Sequence, residues 1–391
     1  MFVKRSLLLL GVVAFTISMT LPGQHVGAQS SAKKVTSAKY AANELIVKYK
    51  KGTSGTAKKT LTSSNNAKVL SHNKALNFEV IKLNKKTSIK DAMKLIKKNK
   101  NVVSVERNLI LKAFWTPNDP DFSKQYGPKI IKADSAWDVT KGAGARIAIV
   151  DTGVQANHPD LKGKVVNGHD FVDNDSVSQD GNGHGTHCAG IAAATANNNI
   201  GIAGVAPSAE IYAVRVLDNN GSGTLANVAS GITSAADNNA DVISLSLGAM
   251  FGATELKDAI NYAWNKGSVV VAAAGNNSLP LPSYPAYYSK AIAVAATDSS
   301  DKKASYSQWG TWVDIAAPGT DIYSTYKGST YKSLSGTSMA TPHVAGVAGL
   351  LASQGKSNSE IRSAIEKNAD KISGTGTQWS NGRVNAYNAV K

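Results

Sequence analysis

The sequence predicts an α/β protein, a mostly parallel sheet with helices on both faces, preceded by a small α+β domain. Three observations carry this. From residue 115 onward, near-continuous apolar runs alternate with Ala-rich stretches of helical spacing, the pattern of parallel strands buried on both faces. At that same point the composition shifts: lysine thins, and Gly, Ala, Asn and Asp rise. The length of 391 residues, 42 % of them hydrophobic, exceeds one ordinary core and supports two folding units.

In the first unit, Glu44–Tyr49, Phe78–Leu83 and Val102–Glu106 read as strands. Ser88–Lys98 reads as a helix with Ala92, Leu95 and Ile96 on one face. In the second, Arg146–Asp151, Ile211–Val216, Asp241–Leu247, Ser268–Ala273 and Ala291–Ala295 read as buried strands. His184–Ala196, Leu225–Asn238 and Leu256–Lys266 read as the helices between them. Sheets of this kind take ligands beyond the carboxyl ends of their strands. No internal repeat of fixed period is present.

The first residues address the compartment. Lys4 and Arg5 precede the apolar run Leu7–Phe15, and Val26-Gly27-Ala28 offers small residues where a signal peptidase reads. The expectation is a signal peptide over 1–28 and a secreted product; a membrane anchor is disfavoured because the run falls short of the ~20 apolar residues that span a bilayer. The single cysteine, Cys188, excludes a disulfide framework. The net charge of +16 is unevenly held. Residues 29–114 carry 20 Lys/Arg against 4 Asp/Glu, while residues 115–391 carry 21 against 23. The basic charge therefore belongs to one segment and does not mark a nucleic-acid binder; opposite charges suit two segments steered together.

Three local contexts carry chemistry. A serine hydroxyl needs a base to take its proton, and the base needs an acid to hold its tautomer. Asp151 ends a strand in Ile149-Val150-Asp151-Thr152-Gly153. His184 opens a helix in Gly183-His184-Gly185-Thr186-His187-Cys188. Ser338 opens another in Gly336-Thr337-Ser338-Met339-Ala340-Thr341-Pro342, where Pro342 fits a first helical turn. Taken singly, these read as a turn residue, a solvated histidine and an N-cap.

Together, with Ala272-Ala273-Ala274-Gly275-Asn276 between the second and third, they resemble the subtilisin family of serine proteases over essentially all of 115–391. The start Trp115-Thr116-Pro117-Asn118-Asp119-Pro120 and the string from His184 to Gly190 are similar to its thermitase-like branch. The resemblance implies a subtilisin-like fold and a secreted serine endopeptidase. Ser338 would be the nucleophile, His184 the general base and acid, Asp151 its orienting partner and Asn276 an oxyanion donor. His187 and His343 would be structural. Ser246-Leu247-Gly248 would pair with extended substrate, and with Ala272, Ala273, Ala274 and Gly275 would wall the pocket before the cut. These small, uncharged walls suit a large apolar side chain. Residues 29–114 resemble an inhibitor-type propeptide that assists folding and blocks the cleft. Leu111-Lys112-Ala113-Phe114 would be the self-cleaved junction, with a second protease as the alternative cutter.

The resemblance also implies calcium, a hard cation that wants oxygen ligands. One site would use Asp119, Asp160 and Asn198 with the carbonyls of Thr195, Ile200 and Ile202. A second would use the acidic loop Asp170, Asp173, Asp175, Val177 and Gln179, whose carboxylates would otherwise repel. A weaker cation site would use Asp314 with carbonyls near Ala286 and Tyr288. Cys188 would lie beneath the catalytic histidine.

Three rival readings are weaker. A zinc protease helix would show His-Glu-x-x-His, which is absent. A non-catalytic relative would have lost a catalytic position, and all are filled. A protease cutting after paired basic residues would need acidic pocket segments, and none is seen. Protein and peptide substrates, the chain's own propeptide, no membrane after signal removal and a monomeric state are expected.

Overall fold

The computed structural model describes residues 40–110 and 115–391. The expected signal peptide, and Leu111 to Phe114 of the expected junction, lie outside the described residues. The chain forms two compact units, divided between Ala113 and Phe114.

The first unit contains β1 (Tyr40–Tyr49), α1 (Gly55–Ser64), β2 (Ala67–Asn73), β3 (Phe78–Leu83), α2 (Ile89–Lys97) and β4 (Val102–Leu109). The strands form one antiparallel sheet in the order β2-β3-β1-β4. Leu45, Val47, Ile81 and Leu83 alternate inward from it and pack on Ala92 and Ile96. The Ser88 side chain caps α2 by accepting the Asp91 N–H. Leu95 is a correction: it is 62 % exposed. The buried stripe runs through Ile89, Ala92, Met93 and Ile96, which turns Leu95 to the helix's outer side.

The second unit begins with a 3-10 turn (Phe122–Lys124) and the short helices α3 (Gly127–Ile130) and α4 (Ala133–Ala136). Then come β5 (Arg146–Asp151), β6 (Val165–Asp170), α5 (His184–Ala193), β7 (Glu210–Arg215), α6 (Leu225–Asp237), β8 (Val242–Leu245), α7 (Thr254–Asn265) and β9 (Val269–Ala273). The chain closes with β10 (Ala291–Thr297), β11 (Ile315–Pro318), β12 (Ile322–Tyr326), β13 (Thr330–Leu334), α8 (Thr337–Ala352), α9 (Asn358–Lys367) and α10 (Ala386–Val390).

Seven strands form a sheet in the order β11-β10-β9-β8-β5-β7-β6, every neighbouring pair parallel. Alternation along β5 divides the core. Ile147 and Ile149 join the cluster holding α5 and α8, while Ala148 and Val150 join the one holding α6 and α7. Burial on both faces explains why these strands read as unbroken apolar runs. β12 and β13 form a separate antiparallel hairpin.

Two boundaries differ from expectation. The helix at His184 stops at Ala193, because Ala194 is extended and Asn197 and Asn199 adopt positive φ. The strand from Asp241 ends at Leu245, so Ser246 to Gly248 leave the sheet and become free to line a cleft. Asp151 lies at the carboxyl end of β5, with His184 and Ser338 in the first turns of α5 and α8.

Candidate active site

Asp151 is fully buried, and its Oδ1 lies 2.7 Å from His184 Nδ1. A carboxylate only accepts, so the Nδ1 proton faces Asp151, and in the neutral ring the lone pair sits on Nε2. The Thr152 N–H also donates to Asp151 Oδ1 at 2.7 Å. Buried Asp180 joins the two elements: it accepts from Thr152 Oγ1 on the strand side, and from the Gly183 and Thr186 N–H groups and Thr186 Oγ1 around α5. The glycine before His184 is required. Gly183 has φ +106°, and a Cβ there would lie 2.5 Å from the Tyr326 ring. Burial alone would lower the His184 pKa, but the Asp151 carboxylate outweighs it and holds the imidazole well above 6.5.

α8 begins at Thr337, so Pro342 is its sixth residue and not part of a first turn, which corrects the sequence reading. Proline has no N–H, and the Ser338 carbonyl four residues back is left without its helical donor. That carbonyl instead accepts from Ser246 Oγ at 2.8 Å and Cys188 Sγ at 3.4 Å. Ser338 Oγ donates to the Ser246 carbonyl at 3.1 Å. Its own N–H lies in the first turn, where the helix offers no acceptor.

Asn276 is exposed. Its Oδ1 accepts both the N–H and the hydroxyl of Thr337, each at 2.9 Å. This fixes the amide and leaves its NH₂ as the free donor. His187 and His343 stay apart from this chemistry: each is buried, with a ring nitrogen on a backbone carbonyl, that of Lys332 and Met339 respectively.

A cleft of about 640 Å³ runs beside His184. Ser246, Leu247 and Gly248 are among its lining residues, with Phe251 at 87 % exposure. Asn220 to Gly223, with Leu217 and Leu225, also line it. Sequence reading missed this second group; the signal was its place just after β7, at the carboxyl edge of the sheet. Ala272, Ala273 and Ala274 are buried and do not line this cleft, and Gly275 is tied through its N–H to Thr337 Oγ1.

The expected cation ligands behave differently from one another. Asp119 and Asp160 are buried, and among the described residues no lysine or arginine pairs with either. Burial, with Asp119 adding to it, holds Asp160 above the usual carboxylate range. Asn198 joins the two, its backbone N–H to Asp119 and its Nδ2 to Asp160. Uncompensated buried carboxylates of this kind fit a hard cation. In the acidic loop, by contrast, Arg215 donates to Asp170 at 2.7 Å and to Asp173 at 2.5 Å. Asp175 caps the Val177 N–H, and the Val177 carbonyl accepts the Gln179 N–H. A guanidinium thus already meets two of the three carboxylates. Asp314 is likewise met by Arg362, which also donates to the carbonyls of Ser289 and Ala291.

A histidine paired with a buried carboxylate at the carboxyl edge of a parallel sheet, and a serine in the first turn of a helix of the same unit, are the parts from which a serine hydrolase is built. The subtilase family model matches residues 142–385, and the fervidolysin N-terminal prodomain matches residues 27–108. The chain belongs to the subtilase family and is a serine protease that hydrolyses peptide bonds. It is 71 % identical to thermitase of Thermoactinomyces vulgaris over 278 residues, 71 % of this chain and 100 % of that protein. It is 52 % identical to a thermophilic serine proteinase of a Bacillus species over 355 residues, 90 % of this chain and 88 % of that one. Among solved structures, a protease of Pseudoalteromonas arctica superposes with a TM-score of 0.66 at 32 % identity, covering 71 % of this chain and 99 % of that one. A cold-adapted subtilisin-like serine proteinase gives 0.57 at 38 % identity, covering 63 % and 88 %.

Proposed function

We propose that the chain is an exported zymogen in which residues 1–28 direct secretion, 29–114 inhibit, and 115–391 are a monomeric endopeptidase of broad specificity. Ser338 Oγ leaves the Ser246 carbonyl and attacks the scissile carbonyl carbon, giving its proton to His184 Nε2. The oxyanion is met by Asn276 Nδ2 and the Ser338 N–H. His184 then protonates the leaving amine, and a water repeats the sequence on the acyl-enzyme. The observation that carries this reading is the 2.7 Å contact between Asp151 Oδ1 and His184 Nδ1, which holds the histidine in the basic tautomer. Among the described residues, no carboxylate, lysine or arginine lines the cleft. That supports apolar substrate side chains along the cleft; a large apolar residue before the cut is proposed from Phe114 at the expected junction. Calcium is proposed at Asp119 and Asp160 as a structural ion; Asp170 and Asp173 are read as held by Arg215.

The test compares intact masses of the secreted product from wild type and from Ser338→Ala. Wild type is expected to start at Trp115 and hydrolyse casein, with the variant retained as an uncut, inactive precursor. Cleavage of both after Phe114 would assign maturation to another protease. Casein hydrolysis by the variant would overturn Ser338 as nucleophile.

A further inference from the structure

We propose that Ser246 is a positioning residue for the nucleophile, its hydroxyl holding the backbone carbonyl of Ser338 that Pro342 leaves unpaired. This rests on the reading of Ser338 as nucleophile. Inside a regular helix the Ser338 carbonyl would accept the N–H of residue 342, and proline has none. Two donors stand in for it. Ser246 Oγ lies at 2.8 Å, whereas the Cys188 thiol, a weaker donor, lies at 3.4 Å. Ser246 is 4 % exposed, so its hydroxyl has little recourse to solvent. The contact is reciprocal, since Ser338 Oγ rests on the Ser246 carbonyl at 3.1 Å.

The consequence follows from what moves. When Ser338 Oγ swings away to attack, its bond to Ser246 breaks, while the bond from Ser246 Oγ to the Ser338 carbonyl persists. That second bond holds the Ser338 backbone in register with the Asn276 amide and with His184. It also ties the nucleophile to the segment whose next residues, Leu247 and Gly248, line the cleft. Misplacement by about 1 Å can cost a reaction on the order of a hundredfold in rate.

Ser246→Ala, matured and normalised by active-site titration, is expected to lose kcat by about tenfold or more on a peptide substrate. KM and the pH at which activity rises should stay unchanged, because the backbone at the cleft and the Asp151–His184 pair are untouched. Ser246→Thr, which keeps the hydroxyl, should retain most of kcat. Should Ser246→Ala fail to fold, Ser246→Cys serves in its place, its weaker donor giving an intermediate kcat. Wild-type kcat in the alanine or cysteine variant, or a rise in KM alone, overturns the proposal. Ser338→Ala is run alongside. If it is inactive and Ser246→Ala is fully active, only the positioning role fails. If it is active, the nucleophile assignment fails first.

Discussion

The thiol of Cys188 lies one turn after His184 on α5, fully buried and 4.0 Å from His184 Nδ1. Burial pushes its pKa up, so it rests as a thiol and not as the reactive thiolate. Mercurials, which bind sulfur strongly, are expected to inhibit by crowding the imidazole, and Cys188→Ala should be insensitive with activity kept, since Ser246 still holds the Ser338 carbonyl. Residual activity against mercurial concentration measures this; full inhibition of the variant would refute it. At this scale the sequence was most legible where chemistry is local. Asp151, His184 and Ser338, ambiguous one at a time, were legible as candidates when their motifs were read as a set with that of Asn276. Thr337 holding Asn276, and Asp180 joining two elements, were not, because each acts through partners distant in sequence. Arg215 and Arg362 escaped for the same reason: nothing in their local sequence announces the carboxylates they meet.

α5 and α8 each bury a histidine whose ring nitrogen is bonded to a backbone carbonyl. Burial lowers both His187 and His343 from 6.5 to about 4. The folded protein therefore stays neutral at these positions where the unfolded chain binds protons. Stability from this source is complete above pH 6.5 and is lost as pH falls toward about 4. The unfolding temperature of the Ser338→Ala protein, chosen to avoid self-digestion, should drop through that window, and His343→Gln should flatten the slope. An unchanged slope would mean that other groups govern acid unfolding. Buried strands and amphipathic helices were legible because their periods record burial directly. β6, with its polar Asn167, Gly168, His169 and Asp170, and the hairpin β12–β13, with its mixed surface, carry no such signature. Their placement is set by tertiary pairing.

On the scale of the whole molecule, Asp119 near the start of the second unit, Asp160 after β5 and the loop after α5 converge at one place. An ion there would fasten three separated stretches of chain. Added chelator is expected to lower the unfolding temperature of the Ser338→Ala protein, and Asp119→Asn to remove most of that dependence. No change on chelation would eliminate calcium as a structural ion. The other two expected cation sites should contribute nothing to the effect, because Arg215 and Arg362 already bring the positive charge.

Neighbouring parallel strands can be joined only by long crossovers. All six pairings of the seven-stranded sheet are of this kind. Such a sheet assembles slowly, because distant chain must meet before any pairing is rewarded. A protease surrounded by copies of itself is cut chiefly when it opens, and where cutting outpaces reclosing an opened copy is lost. Survival is then decided by how seldom the barrier to opening is crossed, not by how deep the folded well lies. In that regime durability is a matter of elapsed time.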